Sequence, residues 1–187
     1  MAKSVLELVS TDRRDGGIGN SSARRFLDFV IEGKSLYEIL GSYFTSRYES
    51  LAYDATSLDV ANRLRTLASF GAPVISCLGW SPSRQGEREA ASRLLCSSEP
   101  DASDGRCTIY VCPECGDIWC GAVVVKVERT ADSVIWRDFG ELYTDIDEHD
   151  VLVQRFRAIE GTEPLGPFEF DAAALGRVFE SALGAPR

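Results

Sequence analysis

The sequence predicts an α+β fold in which an antiparallel β-meander in the C-terminal half packs with several short amphipathic helices. Residues 107–139 carry successive β-branched and aromatic runs broken by short turn-forming stretches. The segments on either side place apolar residues three and four apart, the helical period, between polar caps and glycine stops. At 187 residues and 44% apolar, the chain can build one well-buried core but is short for two. One domain over 1–187 is expected, with a mostly helical lobe at 1–96 and a lobe at 107–187 holding the meander and C-terminal helices. The polar stretch 97–106 lies between them.

Taken in order, residues 4–9 read as a strand and the glycine-rich stretch 15–20 as a loop. Ala23, Phe26, Leu27 and Val30 share a helical face, so a helix capped by Ser21 or Ser22 and closed by Gly33 is expected. A short helix over 36–40 follows Ser35 and stops at Gly41, while 43–53 is open between strand and loop. Asp59 caps a further helix that Gly71 and Pro73 end. Residues 74–78 have the length and character of a buried strand, and Ser81 followed by Pro82 starts a helix running to about Leu95. Strands at 108–112, 121–129 and 134–139 form the meander, with Val123, Val125 and Val127 facing the core and Trp136 pairing near them. A helix over 147–159 is expected from its acidic first turn and the spacing of Leu152, Phe156 and Ile159. Residues 168–170 then form a short strand, and Asp171 caps a last helix burying Leu175, Val178, Phe179 and Ala182.

The chemistry concentrates in one hairpin. Cys112 and Cys115 stand two residues apart around Pro113 and Glu114 and before Gly116, which is the form of a zinc knuckle. Four ligands close a structural zinc site, and Cys107, Cys112, Cys115 and Cys120 supply four thiolates within fourteen residues. Cys77 or His149 is an alternative fourth ligand. Zinc is therefore an expected cofactor, set against small buried thiols around a tight turn. A second use of the same residues is redox catalysis by Cys112 and Cys115 with Cys120 resolving, although a β-branched strand follows where a thiol-activating helix would stand.

His149 is the single histidine, so a Ser-His or Cys-His pair has no other base to use. The glycines at 16–19 lack a Walker lysine, and no nucleotide cofactor is indicated. Twenty basic against 29 acidic side chains leave a formal charge of -9, which disfavours nucleic acid and anionic membranes and favours a basic protein partner. Asp145, Asp147, Glu148 and Asp150, with Trp119 projecting from the cysteine turn, are the residues expected to meet it. Glu7 interrupts the N-terminal apolar stretch, and no run approaches the roughly 20 residues that span a bilayer. A cytoplasmic, reducing setting is expected for the six cysteines.

The run from Tyr110 through Cys112, Cys115 and Cys120 to Gly140, with the later stretch 165–171, resembles a group of small actinobacterial-type proteins. These carry a Cys-Pro-x-Cys-Gly-Asp hairpin and are often labelled oxidoreductase without a known mechanism. The resemblance implies family membership and no particular reaction. Two functions stand open on the residues: a non-catalytic protein-binding or regulatory module of inhibitor or immunity type with a cysteine-pinned hairpin, and a thiol-disulfide oxidoreductase.

Overall fold

The computed structural model describes residues 2–12, 25–54, 56–58, 75–79, 83–112, 116–160 and 165–184. Two antiparallel sheets and three helices make up the α+β architecture among these residues. β1 (Leu6–Asp12), β2 (Arg25–Ile31) and β3 (Lys34–Ser35) form the smaller sheet in that order. The larger follows β4 (Ile75–Ser76), β5 (Cys107–Val111), β6 (Ala122–Arg129), β7 (Ser133–Ile146) and β8 (Leu152–Ala158), with β9 (Phe168–Asp171) also paired to β7. The expected meander is β5 to β7, which β8 extends, and Val127 pairs with Trp136 in it. Among the described residues no helix is long and apolar enough to cross a membrane.

Where a helix closed by Gly33 is expected, residues Arg25–Ile31 form strand β2, in full register with β1. Phe26, Asp28, Phe29 and Ile31 are all buried, so both faces of β2 are covered and its side chains do not alternate cleanly between apolar and polar. Such a run matches helical and strand templates equally. Gly33 ends no helix: it follows Glu32, and their φ values of 75° and 52° make the two-residue turn that joins β2 to β3.

Helix α1 (Leu36–Tyr53) begins where expected, with the Ser35 hydroxyl accepting the Glu38 N–H at 3.0 Å. It continues past Gly41 because Leu36, Leu40, Phe44 and Tyr48 keep one apolar stripe four residues apart. Helix α2 (Arg84–Leu94) is capped by Ser83, whose hydroxyl accepts from Gly86 N–H, rather than by Ser81. Residues 80–82, the loop at 15–20 and the helix expected after Asp59 lie outside the described residues. Helix α3 (Ala172–Gly184) starts as expected, with Asp171 Oδ1 accepting from Ala174 N–H at 2.8 Å.

The other overturned expectation is the helix over 147–159, which is a tight turn followed by strand β8. The acidic residues that suggested a helix start instead order the turn: Asp147 Oδ1 accepts the N–H groups of His149 (2.9 Å) and Val151 (3.0 Å), and Asp150 takes φ 59°. Seven consecutive pairs with β7 then outweigh the weak helical pattern of an exposed segment.

β7 organises the larger sheet. Val124 pairs with Gly140 and Lys126 with Arg137, so β7 carries one extra residue, and Asp138 takes φ 53° within this bulge. The bulge aims Phe139 into the core beside Trp136 and Val134, while Leu142 packs with Ala102, Ala122 and Val124 on the other face. Val123 and Val125 face the main core as expected, and Val124 is buried too, because this part of the sheet is covered on both sides.

The main core lies where the two sheets meet. Aromatic rings cross it edge to face, from Tyr110 to Phe29 (5.7 Å), Phe29 to Trp136 (5.8 Å) and Trp136 to Phe170 (5.0 Å). At its centre Asp28, 2% exposed, accepts from Tyr110 O–H at 2.6 Å, Ser35 O–H at 2.5 Å and Tyr37 N–H at 3.2 Å. Burial raises the Asp28 pKa above its ordinary 3.8, against the opposing pull of those hydrogen bonds.

A carboxyl raised on folding holds its proton better in the native than in the unfolded chain. Its contribution to stability is complete below pH 3.8 and is lost as pH climbs through the raised native value. Asp28→Asn removes this titration. Urea unfolding of both proteins across this range should show the wild type losing stability relative to the variant as pH rises, whereas parallel pH profiles would remove Asp28 as the source.

Candidate interaction surface

The chain between β5 and β6 folds back over one face of the β7–β8 hairpin. Cys112 follows β5, and its carbonyl accepts the N–H of Gly116, which takes φ 70°. Asp117 then caps a single 3-10 turn, Ile118–Cys120, by accepting the Trp119 N–H at 2.9 Å. Two polar side chains tie this turn down. Thr144 O–H donates to the Trp119 carbonyl, and Gln154 Nε2 donates to the Ile118 carbonyl at 3.2 Å. Thr144 and Gln154 are directly paired across β7 and β8.

Side chains alternate along a strand, so the next pair outward on the same face is Ile146 with Leu152. Trp119, Ile146, Val151 and Leu152 are 49%, 60%, 54% and 61% exposed, gathered at one end of the sheet. Asp145, Asp147, Glu148 and Asp150 surround them in β7 and the following turn. Asp145 is paired with Arg155 at 2.8 Å, while His149 lies 3.7 Å from Glu148 in the exposed turn. The five residues expected to meet a partner thus converge on one tip. Ile146, Val151 and Leu152 were not foreseen, because a helix over 147–159 hides the strand alternation that exposes them.

The opposite face of the hairpin is committed to the fold. Glu141, on the side of β7 away from Leu142, takes the Arg47 guanidinium from α1 and has Arg157 at 3.7 Å. Arg157 also lies over the Tyr143 ring at 4.4 Å. Inward of the 3-10 turn, the Arg106 guanidinium sits 3.8 Å from the centre of the Phe156 ring. The Phe156 ring in turn covers Gly140, where a Cβ would fall 1.9 Å from Phe156 Cε2.

No protein-family model, curated protein or solved structure matches the chain.

The cysteines divide into separate groups. Cys107 opens β5 and Cys112 follows its end, five residues or roughly 16 Å of extended strand away. Cys107 cannot join Cys112 and Cys120 around one ion, a correction to the four-thiolate set. Its thiol instead points to the Arg93 carbonyl at 3.5 Å, and burial first, with the Asp101 charge second, pushes it up to about 12. Cys77 is likewise raised by burial. Cys115 lies outside the described residues, and none of Cys77, Cys96, Cys107, Cys112 and Cys120 is in a disulfide. Among the described residues no three His, Cys, Asp or Glu side chains are grouped to hold a metal.

A cleft of about 810 Å³ runs along α1, lined by Ser35, Glu38, Ile39, Ser42, Tyr43 and Ile159 among others. Among the described residues, its lining includes neither histidine nor cysteine. Two of its hydroxyls are engaged structurally, Ser35 with Asp28 and Ser42 with the Glu38 carbonyl at 3.2 Å.

Exposed and buried tryptophans should separate in energy. Trp119→Ala should change unfolding stability by less than about 0.5 kcal/mol, whereas Trp136→Ala, which empties the core and removes the 2.9 Å bond to the Leu94 carbonyl, should cost about 3–5 kcal/mol in urea titrations.

Proposed function

We propose that this chain is a non-catalytic protein-binding or regulatory module, of inhibitor or immunity type, that presents the acid-rimmed tip of the β7–β8 hairpin to a basic partner. The reading is carried by one observation: four large apolar residues that the fold leaves exposed fall at one end of the β7–β8 hairpin and in the 3-10 turn bonded to it, with Asp145, Asp147, Glu148 and Asp150 in the same stretch of chain. Large aromatic and aliphatic anchors supply most of the energy of protein interfaces, and rim charges mainly raise the association rate and select the partner. Trp119 is the anchor, with Ile146, Val151 and Leu152 beside it, and Asp147, Glu148 and Asp150 draw the basic surface in. The formal charge of -9 adds long-range attraction of the same sign.

In this reading Cys112, Cys115 and Cys120 pin the base of the tip, as zinc ligands or as packed thiols, and so hold Trp119 in place. The competing use of Cys112 and Cys115 as a redox dithiol gains little from the local backbone. Residues 118–120 form only a 3-10 turn, which offers no α-helix dipole to stabilise a thiolate.

Wild-type protein immobilised at low salt should retain a basic partner that the folded triple variant Trp119→Ala, Ile146→Ser, Leu152→Ser does not, and salt should release it. Equal retention by both proteins would sink the reading. The cysteines give an independent check. Cys112→Ser should weaken the cooperative unfolding transition if the thiols pin the hairpin, whereas a normally folded variant that has lost disulfide-reducing activity would favour the oxidoreductase.

A further inference from the structure

Strand β8 closes the larger sheet, and among the described residues no strand lies on its outer side. Two main-chain bonds show which of its peptide groups face outward. Asp147 N–H donates to the Val151 carbonyl at 3.0 Å, and Ile159 N–H donates to the Phe139 carbonyl at 3.1 Å, one at each end of the β7–β8 ladder. Both continue the register that pairs Glu141 with Arg157 and Tyr143 with Arg155. In an antiparallel ladder the hydrogen-bonded pairs recur at every second residue. Val153, Arg155 and Arg157 therefore turn their peptide groups towards β7, and Leu152, Gln154, Phe156 and Ala158 turn theirs away from it.

Natural sheets blunt such an edge with a short strand, a proline, a bulge or unpaired lysines. β8 has seven residues, contains no proline or lysine, and keeps an unbroken register. Its two arginines are drawn back onto β7, Arg155 to Asp145 and Arg157 to Glu141. Elsewhere, β4 at the far end of the same sheet is two residues long. Charge at the two ends of β8 is of one sign. Asp147, Glu148 and Asp150 precede it and Glu160 follows it, none with a Lys or Arg partner among the described residues.

We infer that β8 takes up an extended, basic-ended segment of a partner protein as an added strand, its main chain bonding to Leu152, Gln154, Phe156 and Ala158. This rests on the protein-binding reading and names the form of the ligand. The segment's main chain pairs with the open edge, its alternate apolar side chains lie beside Leu152 and Phe156, and lysine or arginine at its ends meets the carboxylates. A second copy of this chain fits less well, since the acidic ends of two β8 strands paired antiparallel would each meet another acidic end.

Amide hydrogen exchange on the full chain tests the edge directly. Without ligand, the amides of Leu152, Gln154, Phe156 and Ala158 should exchange fast and those of Val153, Arg155 and Arg157 slowly. Adding the synthetic peptide acetyl-Lys-Thr-Val-Thr-Val-Thr-Lys-amide should slow the first set about tenfold or more. The same peptide N-methylated at alternate residues on its inward edge should have no effect, and Asp147→Asn, Glu148→Gln, Asp150→Asn together should weaken binding about threefold. Slow exchange of the four amides in the free protein, or protection that grows with protein concentration alone, would overturn the proposal by showing the edge already covered. Absence of peptide protection while the Trp119 tip still retains its partner would overturn the added strand and leave the binding module, and loss of both would remove both.

Discussion

The carboxylate of Asp28 is the point on which the arrangement of the two sheets turns. It sits in β2, it accepts from Ser35 and Tyr37 at the start of α1, and it accepts from Tyr110 in β5. Two neighbouring elements and a third, 82 residues further along the chain, thereby converge on one buried group. A buried carboxyl without such partners would cost several kcal/mol, so the donors must be in place together or the junction is unfavourable. The rings packed around it, Phe29, Tyr110 and Trp136, then have their positions set to within the tolerance of a close-packed core. The cost is a carboxyl whose burial works against its charge, which is the price of a junction that only one arrangement of donors satisfies.

From that junction outward, β7 runs from the buried core to an exposed tip. Its first residues, Val134 and Trp136, are buried between β6 and β9. The bulge at Asp138 and Phe139 changes the register, and beyond it the strand runs past the end of β6 to pair with β8 alone. The 3-10 turn at Ile118–Cys120 covers the exposed face at Thr144 and Gln154 but stops short of Ile146 and Leu152. Exposure of those residues follows from strand length: among the described residues, β7 extends beyond its pairing with β6 and beyond the 3-10 turn.

The tip and the edge of β8 are consequences of the same projection. The hairpin is held on one face by Arg47 and Arg157 and on the other by the 3-10 turn, and its apolar end stays exposed beyond these ties. Side chains already fixed before binding lose less entropy when a partner binds, whereas two hydroxyls of the cleft along α1 are engaged in local structure.

Local chemistry determined a good deal of this protein directly from the sequence. The α+β class, the meander over β5 to β7 and the Ser35 and Asp171 caps all depend on neighbouring residues, and the structure has each of them. The acidic residues and Trp119 could likewise be singled out, because charge and aromatic exposure are properties of the segments themselves. What tertiary structure decided was everything set by partners distant in the chain. Phe26–Ile31 is a strand because β1 pairs with it and both its faces are covered, and 152–158 is a strand because β7 offers seven matching peptide groups. Cys107 left the thiolate set because an extended strand carries it away from Cys112. Asp28 gave no signal at all, since a single aspartate in an apolar run acquires meaning only when Tyr110, from 82 residues further along the chain, reaches it.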